Sequence, residues 1–195
     1  LSSEGSCFPD TYKFSSGIDI DNFLMNCVKR MEKIVLKYWN SRDYSLPYKS
    51  PYEMLIMASI IEKETSLDYE KPIISSVFVN RLNKNMRLQA DPTVIYSIKD
   101  YYKNFDTIIR RVLYRDLRLK SRFNTYRING LPPGPIAMPD ISAIDAVLDY
   151  EKHTYIFFVA DPYNRGYHLF ARNLSEHNRN KRVYTRWLNS RGIYR

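Results

Sequence analysis

The chain has two cysteines, three histidines and six glycines in 195 residues. Two cysteines, Cys7 and Cys27, cannot build a disulfide framework. His153, His168 and His177 lack metal-ligand spacing, so no metal site and no cofactor are expected. There is no GxSxG turn, no glycine-rich phosphate cradle and no CxxC pair, which removes the usual signatures of serine hydrolases, nucleotide-phosphate sites and dithiol redox centres. No apolar run approaches the roughly 18 residues needed to cross a bilayer; the longest, Met54 to Ile61, is about half that and contains Ser59. The chain opens at Leu1 rather than methionine, so an anchor or targeting segment outside these residues is expected.

Acid is also in short supply: 21 acidic residues face 30 basic ones, for a net charge of +9. Such a surface favours polyanions, whether nucleic acid, an anionic membrane or a cell-wall polymer. Hydrophobic residues at 44% and charged residues at 26% are globular composition, and the length suits one domain over residues 1–195. Tyrosine is abundant, with 17 residues; its ring and hydroxyl suit an open polar cleft, although drift toward Tyr, Asn, Lys and Ile would give the same count.

Residues 2–17 read as a loop. Ile20, Leu24, Cys27, Met31, Ile34, Val35 and Tyr38 recur at three- and four-residue steps and predict an amphipathic helix with Cys27 in the core. Ser50, Pro51 and Glu53 make a capping box with proline at the first helical position. The helix they open is apolar all round from Met54 to Ile61, and such a helix is buried. It ends in Glu62-Lys63-Glu64-Thr65. Further helices are expected over residues 72–82, after a cap at Asp91-Pro92, over residues 106–117, 141–148 and 175–189. A proline-rich loop fills residues 121–139, and residues 155–160 and 167–170 read as a hairpin about a turn at 161–166. Many helices beside few strands indicate an α+β fold.

A carboxyl at the end of a buried helix faces the negative end of the helix dipole, and both burial and dipole disfavour its charged form. Glu62 and Glu64 are two apart, so they point to nearly opposite faces and cannot share one cleft. One can act while the other makes a structural bond; an ordinary helix end with two solvated carboxylates is the plain alternative. Gln89, Asp91 and Thr93 precede or open a helix, where simple capping by Asp91 would explain them. Asn124, Thr125 and Tyr126 begin the proline-rich loop with groups suited to sugar hydroxyls and amides. Two basic clusters remain, Arg110, Arg111, Arg115, Arg118, Lys120 and Arg122, and Arg179, Lys181, Arg182, Arg186, Arg191 and Arg195. No nucleic-acid motif accompanies them, and solvated helix faces account for them better than nucleic-acid binding does.

In order along nearly the whole chain, these segments resemble the YceG-like (MltG) endolytic murein transglycosylase family. The resemblance is carried by Glu4-Gly5 with Phe8-Pro-Asp-Thr-Tyr12; Ala58-Ser-Ile-Ile-Glu-Lys-Glu-Thr65; Val77-Phe78 with Asn80-Arg81-Leu82; Met86-Arg-Leu-Gln89 and Asp91-Pro-Thr-Val94 with Tyr96; Asn124-Thr-Tyr126 and Gly130-Leu-Pro-Pro-Gly134 with Ile136; and Tyr155, Phe158-Val-Ala160, His168 and Phe170, with His177 after them. The chain departs from the pattern at Ser6-Cys7, at Phe123, where a tyrosine is usual, and in the basic stretch 101–122.

The resemblance implies a lysozyme-like arrangement around the buried helix. It implies non-hydrolytic cleavage of the β-1,4 bond between N-acetylmuramic acid and N-acetylglucosamine in peptidoglycan glycan strands, leaving a 1,6-anhydro end. One carboxyl serves both steps, and Glu64 is favoured over Glu62 because Glu64-Thr65 is similar to the Glu-Ser pair ending the catalytic helix of other lytic transglycosylases. Tyr126 is then expected to assist catalysis, and Gln89, Asp91, Thr93 and Asn124 to bind glycan. The resemblance further implies a membrane-anchored protein on the outer face of the inner membrane, with a LysM-like domain outside this chain, peptidoglycan synthases as partners and no nucleic acid. An ordinary glycan hydrolase, an inactive glycan-binding domain and a basic nucleic-acid module are the alternatives.

Overall fold

A computed structural model describes residues 4–14 and 16–193. Ser2 of the expected loop and Arg195 of the second basic cluster lie outside the described residues. In chain order the elements are α1 (Ile20–Asn40), α2 (Pro51–Glu64), α3 (Lys71–Asn83), α4 (Asp91–Tyr102), a single 3-10 turn (Asp116–Arg118), α5 (Ile141–Leu148), β1 (Phe157–Ala160), β2 (His168–Ala171) and α6 (Leu174–Ser190). The fold is α+β and mainly helical. The strands pair antiparallel, with Phe158 opposite Phe170 and Ala160 opposite His168.

Helix α2 is the axis of the core. The Ser50 side chain accepts from Glu53 N and Pro51 occupies the first turn, as the sequence dictates. The Glu53 carboxylate reaches one residue further back than the usual box and accepts from Lys49 N at 2.7 Å. Every residue from Met54 to Ile61 is buried, because α1, α3, α4 and α5 all pack around this one helix. The lone hydroxyl in that run is satisfied: Ser59 Oγ donates to Ile56 O and accepts from Ile136 N. That second bond ties the proline-rich loop to the helix.

Helix α1 buries Cys27, Met31 and Val35. Ile20 and Leu24 share their periodicity but are exposed, because the first turns of α1 run past the core. The N-terminal segment folds back here: Tyr12 and Phe14 meet Phe23 edge-on, and Gly5, at φ +74°, lies where a Cβ would stand 2.6 Å from Pro135. Left-handed backbone and close approach together require glycine there.

Two expectations are corrected. Residues 106–117 form no helix beyond the 3-10 turn at their end. Thr107, Ile108, Ile109 and Val112 are β-branched and lose side-chain freedom in a helix, and the segment has no apolar stripe to bury, with Ile108 and Tyr114 both largely exposed. Asp91 is not the cap of α4 either. The cap is Ala90, and Asp91 is the first helical residue, which leaves its side chain free for another partner.

Candidate active site

The two glutamates at the end of α2 go separate ways, as their spacing requires. Glu62 turns toward α3 and α5. Its carboxylate accepts from Lys71 Nζ at 3.2 Å and from Asp140 N at 3.5 Å. The Lys71 side chain is 3% exposed and also meets Asp68 at 3.1 Å and Asp140 at 3.2 Å, and it donates to Ser142 Oγ at 2.6 Å. Glu62 is therefore one member of an ion cluster that joins three helices around a buried ammonium.

Glu64 turns the other way, toward α4 and the loop after residue 121. Thr65 leaves the helix in extended conformation and its hydroxyl accepts from Leu67 N, so the helix stops directly after this carboxyl. Burial pushes the Glu64 carboxyl up to about 8; the Asp91 carboxylate adds to the rise and the Arg81 guanidinium opposes it. A carboxylic acid with that pKa is largely protonated at neutral pH.

Asp91 enters the site from the first turn of α4, where an acid suits the helix dipole. Tyr126 Oη donates to its Oδ1 at 2.6 Å. Asp91 keeps part of its surface open to solvent, but the protein packed around its carboxyl desolvates it and raises its pKa, while the Tyr126 hydroxyl and the nearby Lys181 ammonium lower it. Tyr126 itself is pushed well above the ordinary phenol range by burial and by the Asp91 and Glu64 charges. Asp91 and Gln89 are exposed and Glu64 and Tyr126 half-buried, so all four present surface to an incoming ligand. Gln89 sits at φ +54°, a left-handed conformation that costs a non-glycine residue about 1 kcal/mol or more and often marks a functional site.

Thr93 and Asn124 stand elsewhere. Both are fully buried and their polar atoms are committed internally. Thr93 Oγ1 donates to Ala90 O and shares a 2.8 Å bond with Thr125 Oγ1. Asn124 Nδ2 donates to Leu117 O and Leu119 O, and its Oδ1 accepts from Tyr126 N. They fasten the Tyr126 loop to the start of α4 instead of facing solvent. Thr125 completes the clasp by accepting from Ala90 N and, through its carbonyl, from Gln89 N.

Arg81 received no individual role from the sequence, although it lies in the Asn80-Arg81-Leu82 motif. It is buried, donates from Nε to Ile156 O at 2.6 Å and from Nη1 to Leu88 O at 2.6 Å and Gln89 Oε1 at 3.3 Å, and lies 5.0 Å over the Phe157 ring. An arginine beside the apolar run Val77-Phe-Val79 of a helix that is mostly buried was the available signal. The histidines are structural or peripheral: His168 pairs with Glu70 at 2.6 Å, His153 bonds Ile73 O and Tyr155 N, and His177 stacks on Phe157. Among the described residues no group of His, Cys, Asp and Glu is arranged to hold a metal ion, and no helix is long and apolar enough to cross a membrane.

Fold and site thus define an α+β domain that presents a largely protonated carboxyl at the end of a buried helix, on a surface that also carries Gln89, Asp91 and Tyr126. The profile of the YceG-like family matches residues 1–183, and the chain belongs to that family. It is 39% identical over 183 residues to the endolytic murein transglycosylase of Bacillus subtilis strain 168, an alignment covering 93% of this chain and 48% of the relative. It is 30% identical over 178 residues to that of Streptococcus pneumoniae D39, covering 91% and 31%. The crystal structure of a YceG-like protein from Listeria monocytogenes matches with a TM-score of 0.78 at 36% identity, over 91% of this chain and 55% of that one. The chain therefore spans about half the length of the Bacillus relative and about a third of the Streptococcus one.

Proposed function

We propose that this chain carries the active site of an endolytic lytic transglycosylase acting on peptidoglycan glycan strands, with Glu64 as its acid and base. The carrying observation is the division of labour at the end of α2: burial raises both carboxyls, but Glu62 is occupied by Lys71, which opposes the rise, while Glu64 is unpaired with any cation at contact distance among the described residues and is pushed up to about 8. The protonated Glu64 donates to the glycosidic oxygen as the bond to C1 of muramic acid breaks. The resulting carboxylate takes the proton of the muramic C6 hydroxyl, whose oxygen bonds to C1 and closes a 1,6-anhydro ring. No second carboxylate has to activate water, unlike the two-carboxylate hydrolases.

Gln89, Asp91 and Tyr126 hold the glycan by hydrogen bonds, Tyr126 also acting through Asp91 on the charge at Glu64. Thr93 and Asn124 are positioning residues that keep the Tyr126 loop in register. The role that follows for the whole protein is termination of nascent strands on the outer face of the membrane, beside peptidoglycan synthases. The test is mass spectrometry of purified strands after incubation with the chain and with Glu64→Gln. Anhydro-ended fragments from the parent and none from the variant support the proposal. Reducing-end fragments make the protein a hydrolase, and a fully active Glu64→Gln removes Glu64 from the chemistry.

A further inference from the structure

Lys181 belongs to two faces of α6 at once. His177, Lys181, Tyr184 and Leu188 recur at three- and four-residue steps and form the face toward the site: His177 stacks on Phe157 beside Arg81, and burial together with the Asp91 charge raises the Tyr184 phenol. One step around the helix, Asn178, Lys181, Arg182, Thr185 and Arg186 recur in the same way. With Tyr114 they line an open groove of about 500 Å³. The Lys181 ammonium lies close enough to Asp91 to favour its charged form, so this groove adjoins the candidate site.

The groove is cationic, and Asp91 offsets part of the charge of Lys181 alone among its three cations. Lys181, Arg182 and Arg186 are exposed, and among the described residues none of them enters an ion pair. Lys181 Nζ rests 5.3 Å over the Tyr114 ring, and Arg182 Nε donates to Asn178 O within its own helix. Arg111 donates to Ile193 O at 2.9 Å and so pins the basic segment before Tyr114 against the end of α6. Like charges on adjacent turns repel, and an anionic ligand relieves that repulsion.

We propose that this groove binds the carboxylates of the stem peptide carried by the muramic acid residue in the site. The proposal rests on the glycan-cleaving function above. The sugar units themselves are neutral; the charge of the polymer is on peptides that branch from the lactyl group of muramic acid, beside the bond that breaks. A branch leaving the sugar near Asp91 meets Lys181 first, then Arg182 and Arg186. The rise from Lys181 to Arg186 is about 7 Å at 1.5 Å per helical residue, which two extended peptide residues span. Asn178, Thr185 and Tyr114 interleave amide, hydroxyl and ring with the cations, a lining suited to a peptide rather than to a compact phosphate.

The test measures binding without turnover, using Glu64→Gln and fluorescently labelled glycan strands at low salt. One strand preparation keeps its stem carboxyls and the other has them converted to amides. Strands with free stem carboxyls should bind about tenfold more tightly than amidated ones, the effect of two exposed charge pairs. Arg182→Glu/Arg186→Glu on the same background should abolish that ratio, and the milder Arg182→Gln/Arg186→Gln should reduce it, both with the parent's circular dichroism. Equal affinity for the two strands overturns the proposal, as does a ratio that both double variants leave unchanged. Displacement by pyrophosphate at lower concentration than by a glutamate-containing dipeptide would assign the groove to phosphate and overturn it too. An uncut strand in the mass-spectrometric test would count against the transglycosylase and leave this binding ratio standing.

Discussion

Tyr126 donates its hydroxyl to Asp91 Oδ1 across 2.6 Å, joining the Asn124-Thr-Tyr126 loop to the first turn of α4. The bond favours the charged form of Asp91, and that charge in turn raises Glu64. Asp91→Asn removes the like charge, so Glu64 ionises at lower pH. The alkaline limb of kcat/KM, which reports loss of the protonated acid in the free enzyme, should move to lower pH. A pH–rate profile on glycan strands checks it, and a limb that stays in place or moves up breaks the link between the two carboxyls.

Arg81 predicts the opposite sign. Its charge favours ionised Glu64, so Arg81→Met should move the same limb to higher pH. It also strips donors from the carbonyls of Ile156, Arg87 and Leu88, at a cost of about 2–4 kcal/mol in stability. Arg81→Lys keeps the charge but loses the fork geometry; it should lower the melting temperature with little displacement of the limb. A single pair of melting curves and pH profiles separates the two roles.

Glu62 should prove structural. Its loss leaves buried Lys71 with Asp68 and Asp140, both more exposed partners. Glu62→Gln should therefore cost about 1–2 kcal/mol, less than an unpaired buried charge would, and leave kcat within about threefold. Glu64→Gln should lose about 10²- to 10⁴-fold, the range of general acid–base catalysis. Urea titration beside steady-state rates decides between the two glutamates, and a larger rate loss at Glu62 would reverse their assignment.

Much of this arrangement was legible from local signals. The Ser50-Pro51-Glu53 start and the uninterrupted apolar run of α2 announced a buried helix, and the two-residue spacing of Glu62 and Glu64 announced opposite faces. Which face carries which partner was not legible, because Lys71 returns from the start of the next helix and Asp140, Asp91 and Arg81 reach the helix end from further along the chain. Thr93 and Asn124 illustrate the same gap: their residue types suit sugars, but only the fold shows that Ala90 O, Leu117 O and Leu119 O claim them. The helix expected over residues 106–117 failed for a local reason, since the β-branched residues and exposed Ile108 of that segment gave a helix nothing to pack against.

Holding Glu64 protonated has a thermodynamic cost that a second property of Glu64→Gln exposes. The folded carboxyl titrates near 8, raised from 4.5. Below pH 4.5 both folded and unfolded chains hold the proton, and the group is neutral toward stability. As pH rises toward 8 the unfolded chain releases its proton while the folded chain keeps it, so stability falls across this window. At 1.36 kcal/mol per unit the loss at pH 7 has a ceiling of about 3 kcal/mol, reduced by the solvent that Glu64 retains. Glutamine has no proton to release and keeps much the same shape. Glu64→Gln should thus be more stable than the parent at pH 7 by about 1–3 kcal/mol, and the gain should shrink toward zero near pH 4.5. Chemical denaturation at the two pH values measures it. A variant equally stable or weaker at pH 7 would mean that Glu64 is charged in the folded protein, which would deprive the proposed reaction of its acid.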